Sequence, residues 1–195
     1  MVICHKSKLC FVHIPKTGGT SIEKFLNLRK RKNLYGVTNG KALHHLTYTE
    51  LKKHFPKLDN YFTFSLVRHP YSRLLSDYNW FRTLPVVQTW GHCIDDFLTL
   101  VEDIVINKSY DDDKHYDHFK PQYEYVCEGT QIKVKHLGKL ENIEETFQLL
   151  RTKFGINKSS LHKNKTGPHN ELTDEQKKRV FKLYSDDFKI FGYEP

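Results

Sequence analysis

Residues 15–21, PKTGGTS, crowd a lysine, a glycine pair and three hydroxyls between the apolar run Leu9–Ile14 and the amphipathic IEKFL. Glycines directly after a buried strand let backbone N–H groups turn toward a ligand, and the start of a helix adds partial positive charge. Lys16 contributes a point charge, while Thr20 and Ser21 contribute hydroxyl donors on the first helical turn. The chemistry is capture of an anion. An ordinary strand-to-helix turn would need only Gly18 and Gly19 and leaves Lys16, Thr17, Thr20 and Ser21 unexplained. The order differs from the ATP/GTP loop G-x-x-x-x-G-K-[ST], because here the lysine precedes the glycines. A similar cradle with a different donor is expected.

Two further residues could reach one phosphate. Arg68 ends YFTFSLVR at the sheet edge where α/β proteins bind ligands, and Ser76 follows eight residues later in a helical stretch. Histidine is the side chain that titrates near neutrality and so the first candidate for any general base, and the chain has 12 of them. His44 and His45, in ALHHLTYTEL, sit just ahead of a capped helix. His115 and His118 in HYDHFKPQ could join the pair or Asp117 around a metal, but no cysteine partner or H-E-x-x-H pattern accompanies them. No metal is expected.

The elements that must position these groups follow from periodicity. Leu9–Ile14 reads as a buried strand, and Ile22, Phe25 and Leu26 give the following helix its apolar face before the basic patch RKRK, Arg29–Lys32. Thr47 and Glu50 form a capping box opening TYTELKKHF. Tyr61–Arg68 is the clearest strand, and Pro70 starts the helix PYSRLLSDYNWFRTL. Ile94, Phe97, Leu98, Val101, Ile104 and Val105 fall on one helical face, and DDDKHYDHF follows as a polar loop. Gln131–Leu140 alternates like one strand. Asn142 with Glu145 caps NIEETFQLLRTKF, which Gly155 closes, and Thr173 with Gln176 caps a last helix carrying Val180, Leu183 and Tyr184. Between them, residues 156–170 form a basic loop. The order predicts a single α/β domain over residues 1–195, a P-loop-like three-layer sandwich with a mostly parallel central sheet flanked by helices.

Bulk properties narrow the partners. A chain of 195 residues buries roughly 70% of its unfolded surface in one core. The net charge of +8 calls for an acidic partner without choosing among nucleic acid, membrane, phosphorylated cofactor and acidic glycan. No run approaches a membrane span, and the four cysteines lie far apart, so reduced thiols in a soluble protein are expected.

FVHIPKTGGTS, SLVRHPYSRLLSDY, HFKPQYEYV and the tail Y-SDDFKIFGY together resemble the sulfotransferase family that uses 3′-phosphoadenosine 5′-phosphosulfate (PAPS), most closely its carbohydrate type and short bacterial and viral-type relatives. The resemblance covers nearly the whole chain. It implies that Lys16, Thr17, Gly18, Gly19, Thr20 and Ser21 hold the 5′-phosphosulfate, that Arg68 and Ser76 hold the 3′-phosphate, and that Lys163, Asn164 and Lys165 in LHKNKTG close over the nucleotide. Its base, in an H-x-[ST]-like stretch after the first helix, matches His45 better than His44. Arg82, His118, Lys120 and Gln122 are implied beside the acceptor, with Trp80 and Phe81 on the same cleft or in the core. The acceptor implied is a hydroxyl, first of all on a glycan, with tyrosine, lipid and small molecules open. Relatives in the Golgi carry an upstream anchor, and this sequence reads instead as a cytoplasmic microbial enzyme, a virus-encoded one or an excised catalytic domain. Three rivals stand beside this. A kinase or NTPase would need an acid closing a strand, which LTLVED (Leu98–Asp103) offers only if it is not helical; a nucleic-acid module leaves PKTGGTS unexplained; an inactive glycan-binding relative keeps every motif.

Overall fold

The computed structural model describes residues 2–27, 37–38, 41–42, 45–84, 93–113, 115–158 and 171–195. In chain order its elements are β1 (Val2–Cys4), β2 (Leu9–Phe11), α1 (Gly19–Phe25), β3 (Val37–Thr38), β4 (Lys41–Ala42), α2 (Tyr48–His54), β5 (Phe62–Val67), α3 (Pro70–Phe81), α4 (Ile94–Asn107), α5 (Gln122–Val126), β6 (Cys127–Glu128), β7 (Gln131–Ile132), β8 (His136–Lys139), α6 (Ile143–Phe154), α7 (Asp174–Leu183) and α8 (Ser185–Phe191). They group into two compact units, Met1–Val67 with Gln122–Lys165, and Arg68–Pro121 with Thr166–Pro195.

The first unit is built on a four-stranded sheet of order β1-β2-β5-β8. β1 runs antiparallel to β2, whereas β2–β5 and β5–β8 are parallel, with Phe11 beside Phe64 and Phe64 beside His136. β5 is buried on both faces from Thr63 to Val67, so the Thr63 and Ser65 hydroxyls between its apolar residues lie in the interior. Its two interior hydroxyls are satisfied: Ser65 donates to the Val12 carbonyl at 2.7 Å, and Thr63 accepts from the Lys135 N–H at 3.1 Å. α1 and α6 pack Ile22, Phe25, Ile143, Phe147 and Leu150 onto Leu9, Phe11, Phe64 and Leu66. The central sheet is therefore mostly parallel and flanked by helices, as the periodicity predicts.

The second unit is helical. α4 buries Phe97, Leu98, Val101 and Ile104 against Leu74, Tyr78 and Phe81 of α3, Val180 of α7 and Phe188 of α8. The run LTLVED lies inside α4, so the strand-closing acid a kinase would need is absent from that stretch. Arg179 of α7 grips Glu102 of α4 through two 2.8 Å bonds, which hold the Glu102 carboxyl below its ordinary pKa. Tyr184, between α7 and α8, donates to the Phe119 carbonyl at 2.9 Å, and burial pushes its phenol upward.

The capping boxes at Thr47–Glu50 and Thr173–Gln176 both form, and Gly155 ends α6 in the left-handed conformation. Five local expectations need correction. The β2 ladder stops at Phe11, and Val12 makes one further bond, donating to the Phe64 carbonyl at 2.9 Å. Gln131–Leu140 is not one strand: exposed Gln131–Ile132 pair with β6 in a hairpin, and only His136–Lys139 join the central sheet. Asn142 makes no side-chain cap, because a 3₁₀ turn over Leu140–Asn142 leads directly into α6. The last helix breaks at Tyr184 into α7 and α8, and the polar loop before Lys120 contains a 3₁₀ turn, Tyr116–Phe119, that buries Phe119.

Gly138 of β8 tests the packing of this sheet. A Cβ there would overlap the Thr146 hydroxyl and lie 2.8 Å from Leu66 Cδ2. Gly138→Ala is expected to destabilise the fold by about 1–3 kcal/mol, read as a lowered urea midpoint at unchanged slope; an unshifted midpoint would contradict the packing of α6 on β8.

Candidate functional site

The loop leaving β2 is folded on itself before any ligand is considered. Thr17 is fully buried and its hydroxyl donates to the Ile14 carbonyl at 2.8 Å, so what Thr17 offers outward is its backbone. Lys16 has φ +65° and Gly18 φ +86°, two left-handed residues flanking Thr17. Left-handed residues interleaved with ordinary ones turn successive N–H groups toward one concave side, the backbone form of an anion cradle. For a lysine this conformation costs about 1–2 kcal/mol, which the surrounding packing must over-determine. Gly18 is fixed twice, since its φ disfavours a side chain and a Cβ would lie 2.7 Å from Leu140 Cδ1. Its carbonyl accepts from the Ser21 and Ile22 N–H groups at 2.9 and 3.2 Å, closing the first turn of α1. α1 has only seven residues, so the loop backbone and Lys16 carry more of the positive field than the helix does. Thr20 is half-buried and Ser21 buried on that turn.

His13 is the residue that sequence reasoning missed. Its imidazole occupies the place where a Cβ of Gly19 would be, stacks on Phe11 with centroids 5.4 Å apart, and brings Nδ1 to 3.5 Å from Glu23 Oε1. The signal was present: a histidine inside the otherwise apolar FVHIP. On its other side lies His45, ring centroid 4.7 Å away in an edge-on arrangement. His45 Nδ1 is 3.0 Å from the His13 carbonyl oxygen. A carbonyl can only accept, so Nδ1 carries the hydrogen and Nε2 holds the basic lone pair. Two residues later the Thr47 N–H and hydroxyl both donate to Glu50 Oε2, at 2.7 and 2.8 Å, which anchors the chain just beyond His45. The cradle and an oriented imidazole are thus joined through one residue. His44 and Lys163, Asn164 and Lys165 lie outside the described residues.

The remaining expected positions are spread over both units. In the second, Arg68 is half-buried directly after β5, and Ser76 is buried on α3. The start of α3 is set by His69, whose Nδ1 accepts from the Tyr71 N–H at 3.3 Å while Nε2 donates to the Glu194 carbonyl at 3.0 Å. His118 is a constrained imidazole: Nδ1 is 2.8 Å from Asp77 Oδ1, its ring stacks on Trp80 at 4.5 Å, and its carbonyl accepts from the buried Arg73 guanidinium. The same guanidinium donates to the Lys120 carbonyl at 3.0 Å, and Lys120 Nζ lies 5.4 Å over the Tyr110 ring. Asp77 was legible only as a charge among the apolar positions of LLSDY. Arg82 is exposed at the end of α3, against the Tyr78 ring, and Phe81 belongs to the core. Gln122 is fully buried at the start of α5 in the first unit.

Other reactive side chains are quiet. Burial pushes the Cys10 thiol up to about 12, and burial lowers His136, whose Nε2 is 3.1 Å from the Thr146 hydroxyl. Among the described residues no group of three or more His, Cys, Asp or Glu is placed to hold a metal ion, and no helix is long and apolar enough to cross a membrane.

Compared with known proteins, residues 1–194 match the model of a family described as the sulfotransferase family. No curated protein gives a significant match. A match over essentially the whole length shows that the chain belongs to the sulfotransferase family.

Proposed function

We propose that this sulfotransferase transfers the sulfuryl group of PAPS to an acceptor hydroxyl, on a carbohydrate, by in-line displacement with a histidine as general base. The observation that carries the reading is the left-handed turn at Lys16 and Gly18 with an oriented imidazole, His45, linked to it through His13. The donor, when bound, supplies a sulfuryl group already joined to a phosphate leaving group. The chain's residues fit it: a left-handed turn at Lys16 and Gly18, the Lys16 charge, and hydroxyls on the first turn of α1. In this reading Lys16, Gly18, Gly19, Thr20, Ser21 and the backbone of Thr17 hold the 5′ end, Arg68 and Ser76 the 3′-phosphate, and Lys163, Asn164 and Lys165 complete the nucleotide site.

Sulfuryl transfer spreads charge over three oxygens, so the protein contributes mainly position and electrostatics, as it does for phosphoryl groups. Lys16 stabilises negative charge that grows on the departing phosphate. Because a sulfuryl group carries less charge than a phosphoryl dianion, the reading includes no metal. His45 Nε2 accepts the hydroxyl proton, and the Nδ1 hydrogen held by the His13 carbonyl keeps that lone pair aimed and basic. Arg82, His118, Lys120 and Gln122 serve the acceptor, and the +8 net charge favours an acidic glycan. Both compact units belong to one catalytic domain acting as a soluble enzyme, without nucleic acid.

Incubation with PAPS and a panel of glycans is expected to yield a sulfated product. Lys16→Ala should lower kcat by about 10²-fold or more while bisphosphate affinity falls only severalfold; equal losses in the two would remove its transition-state role. For His45→Ala, turnover should drop about 10²–10⁴-fold with an unchanged urea midpoint and nucleotide affinity. Near-normal turnover in that variant would take the base away from His45.

A further inference from the structure

We propose that His13 is a positioning residue that couples the anion cradle to the base, an inference that rests on the reading of His45 as that base. The ring of His13 fills the space that Gly19 leaves by lacking a side chain, so the cradle's glycine and the imidazole fix each other's position. The same ring presses on the His45 ring at 4.7 Å, and the carbonyl of the same residue accepts the His45 Nδ1 hydrogen at 3.0 Å. Phe11 stacks on one face of His13 at 5.4 Å, and Glu23 of α1 lies 3.5 Å from its Nδ1, so the ring is braced by the strand it leaves and by the helix it faces.

Each of these contacts leaves His13 poorly placed to touch an acceptor and well placed to transmit shape. Its Nε2 side is directed at the Gly19 backbone, its Nδ1 side at Glu23, and one edge at His45. A side chain that only filled space would be matched by any apolar residue of similar size. This one instead bounds the lane in which His45 can sit and so keeps its Nδ1 against the residue 13 carbonyl, which sets the tautomer. A displacement of the base by about 1 Å can cost on the order of 10²-fold in rate.

The test combines nitrogen-15 histidine spectra with a double-mutant cycle. In the unaltered protein His45 should show the Nδ1–H tautomer. In His13→Ala the carbonyl remains but the ring that keeps His45 against it is gone, so that signature should shift toward Nε2–H, and kcat should fall by about tenfold to a hundredfold. In the His45→Ala background the same change at position 13 should cost nothing further, because the residue acts through the base. His13→Gln, which keeps reach toward Gly19 but loses the ring edge, serves if the alanine variant does not fold, and it should show the same tautomer shift. An Nε2–H signature in the unaltered protein, an unshifted His45 spectrum in both variants, or an equal loss of rate with and without His45 would overturn the proposal. Near-normal turnover in His45→Ala alone would instead sink the reading of His45 as base, while the spectra still judge whether His13 positions it.

Discussion

Gly19 and the His13 ring share one small volume, and a side chain at residue 19 cannot coexist with that ring. His13 follows β2, whose register is fixed between β1 and β5, so the ring's place is inherited from the sheet. Gly19 opens α1, so the helix and the loop before it inherit their place from the ring. Along this short path the sheet dictates where the PKTGGTS backbone lies. The internal bond from Thr17 to Ile14 then closes the loop, and Lys16, held left-handed beside the permissive Gly18, carries about 1–2 kcal/mol of conformational cost. A loop arranged this way is organised before ligand arrives, which is what electrostatic stabilisation of a transferred group requires.

In the second unit the corresponding constraint is polar. α3 presents Arg73, Ser76 and Asp77 on its buried side, an expensive choice for a helix unless each group is satisfied. Arg73 spends its guanidinium on the carbonyls of His118 and Lys120, and Asp77 takes the His118 Nδ1. The segment carrying His118 and Lys120 is therefore tied to the helix carrying Ser76 by buried bonds that a rearranged packing would leave unmade. Asp117, beside them, has its carboxyl raised above the ordinary range by burial, opposed by His118 and Lys120.

What could be read from sequence was local. The glycine pair at a strand-to-helix turn, the two Thr-based capping boxes and the buried strand Tyr61–Arg68 each announce themselves within a few residues: α1 opens at Gly19, both boxes form, and the strand runs Phe62–Val67. Contacts between distant residues were not legible. His13 meets His45 across 32 positions and His118 meets Asp77 across 41, and neither pairing has a spacing signature. The splitting of Gln131–Leu140 fails for a related reason: alternation records that side chains take opposite faces, not which ladder they join, and β7 and β8 join different ones. Asn142 had the right residue type for a cap, but the preceding 3₁₀ turn gave it the wrong backbone.

The most direct measurement is calorimetric titration, in magnesium-free buffer, with adenosine 3′,5′-bisphosphate and then 5′-AMP, followed by ATP with magnesium. If Lys16–Ser21 cradle the 5′ end and Arg68 with Ser76 recognise the 3′-phosphate, the bisphosphate binds much more tightly than either alternative. Equal affinity for 5′-AMP, or preference for ATP with magnesium, would contradict the account.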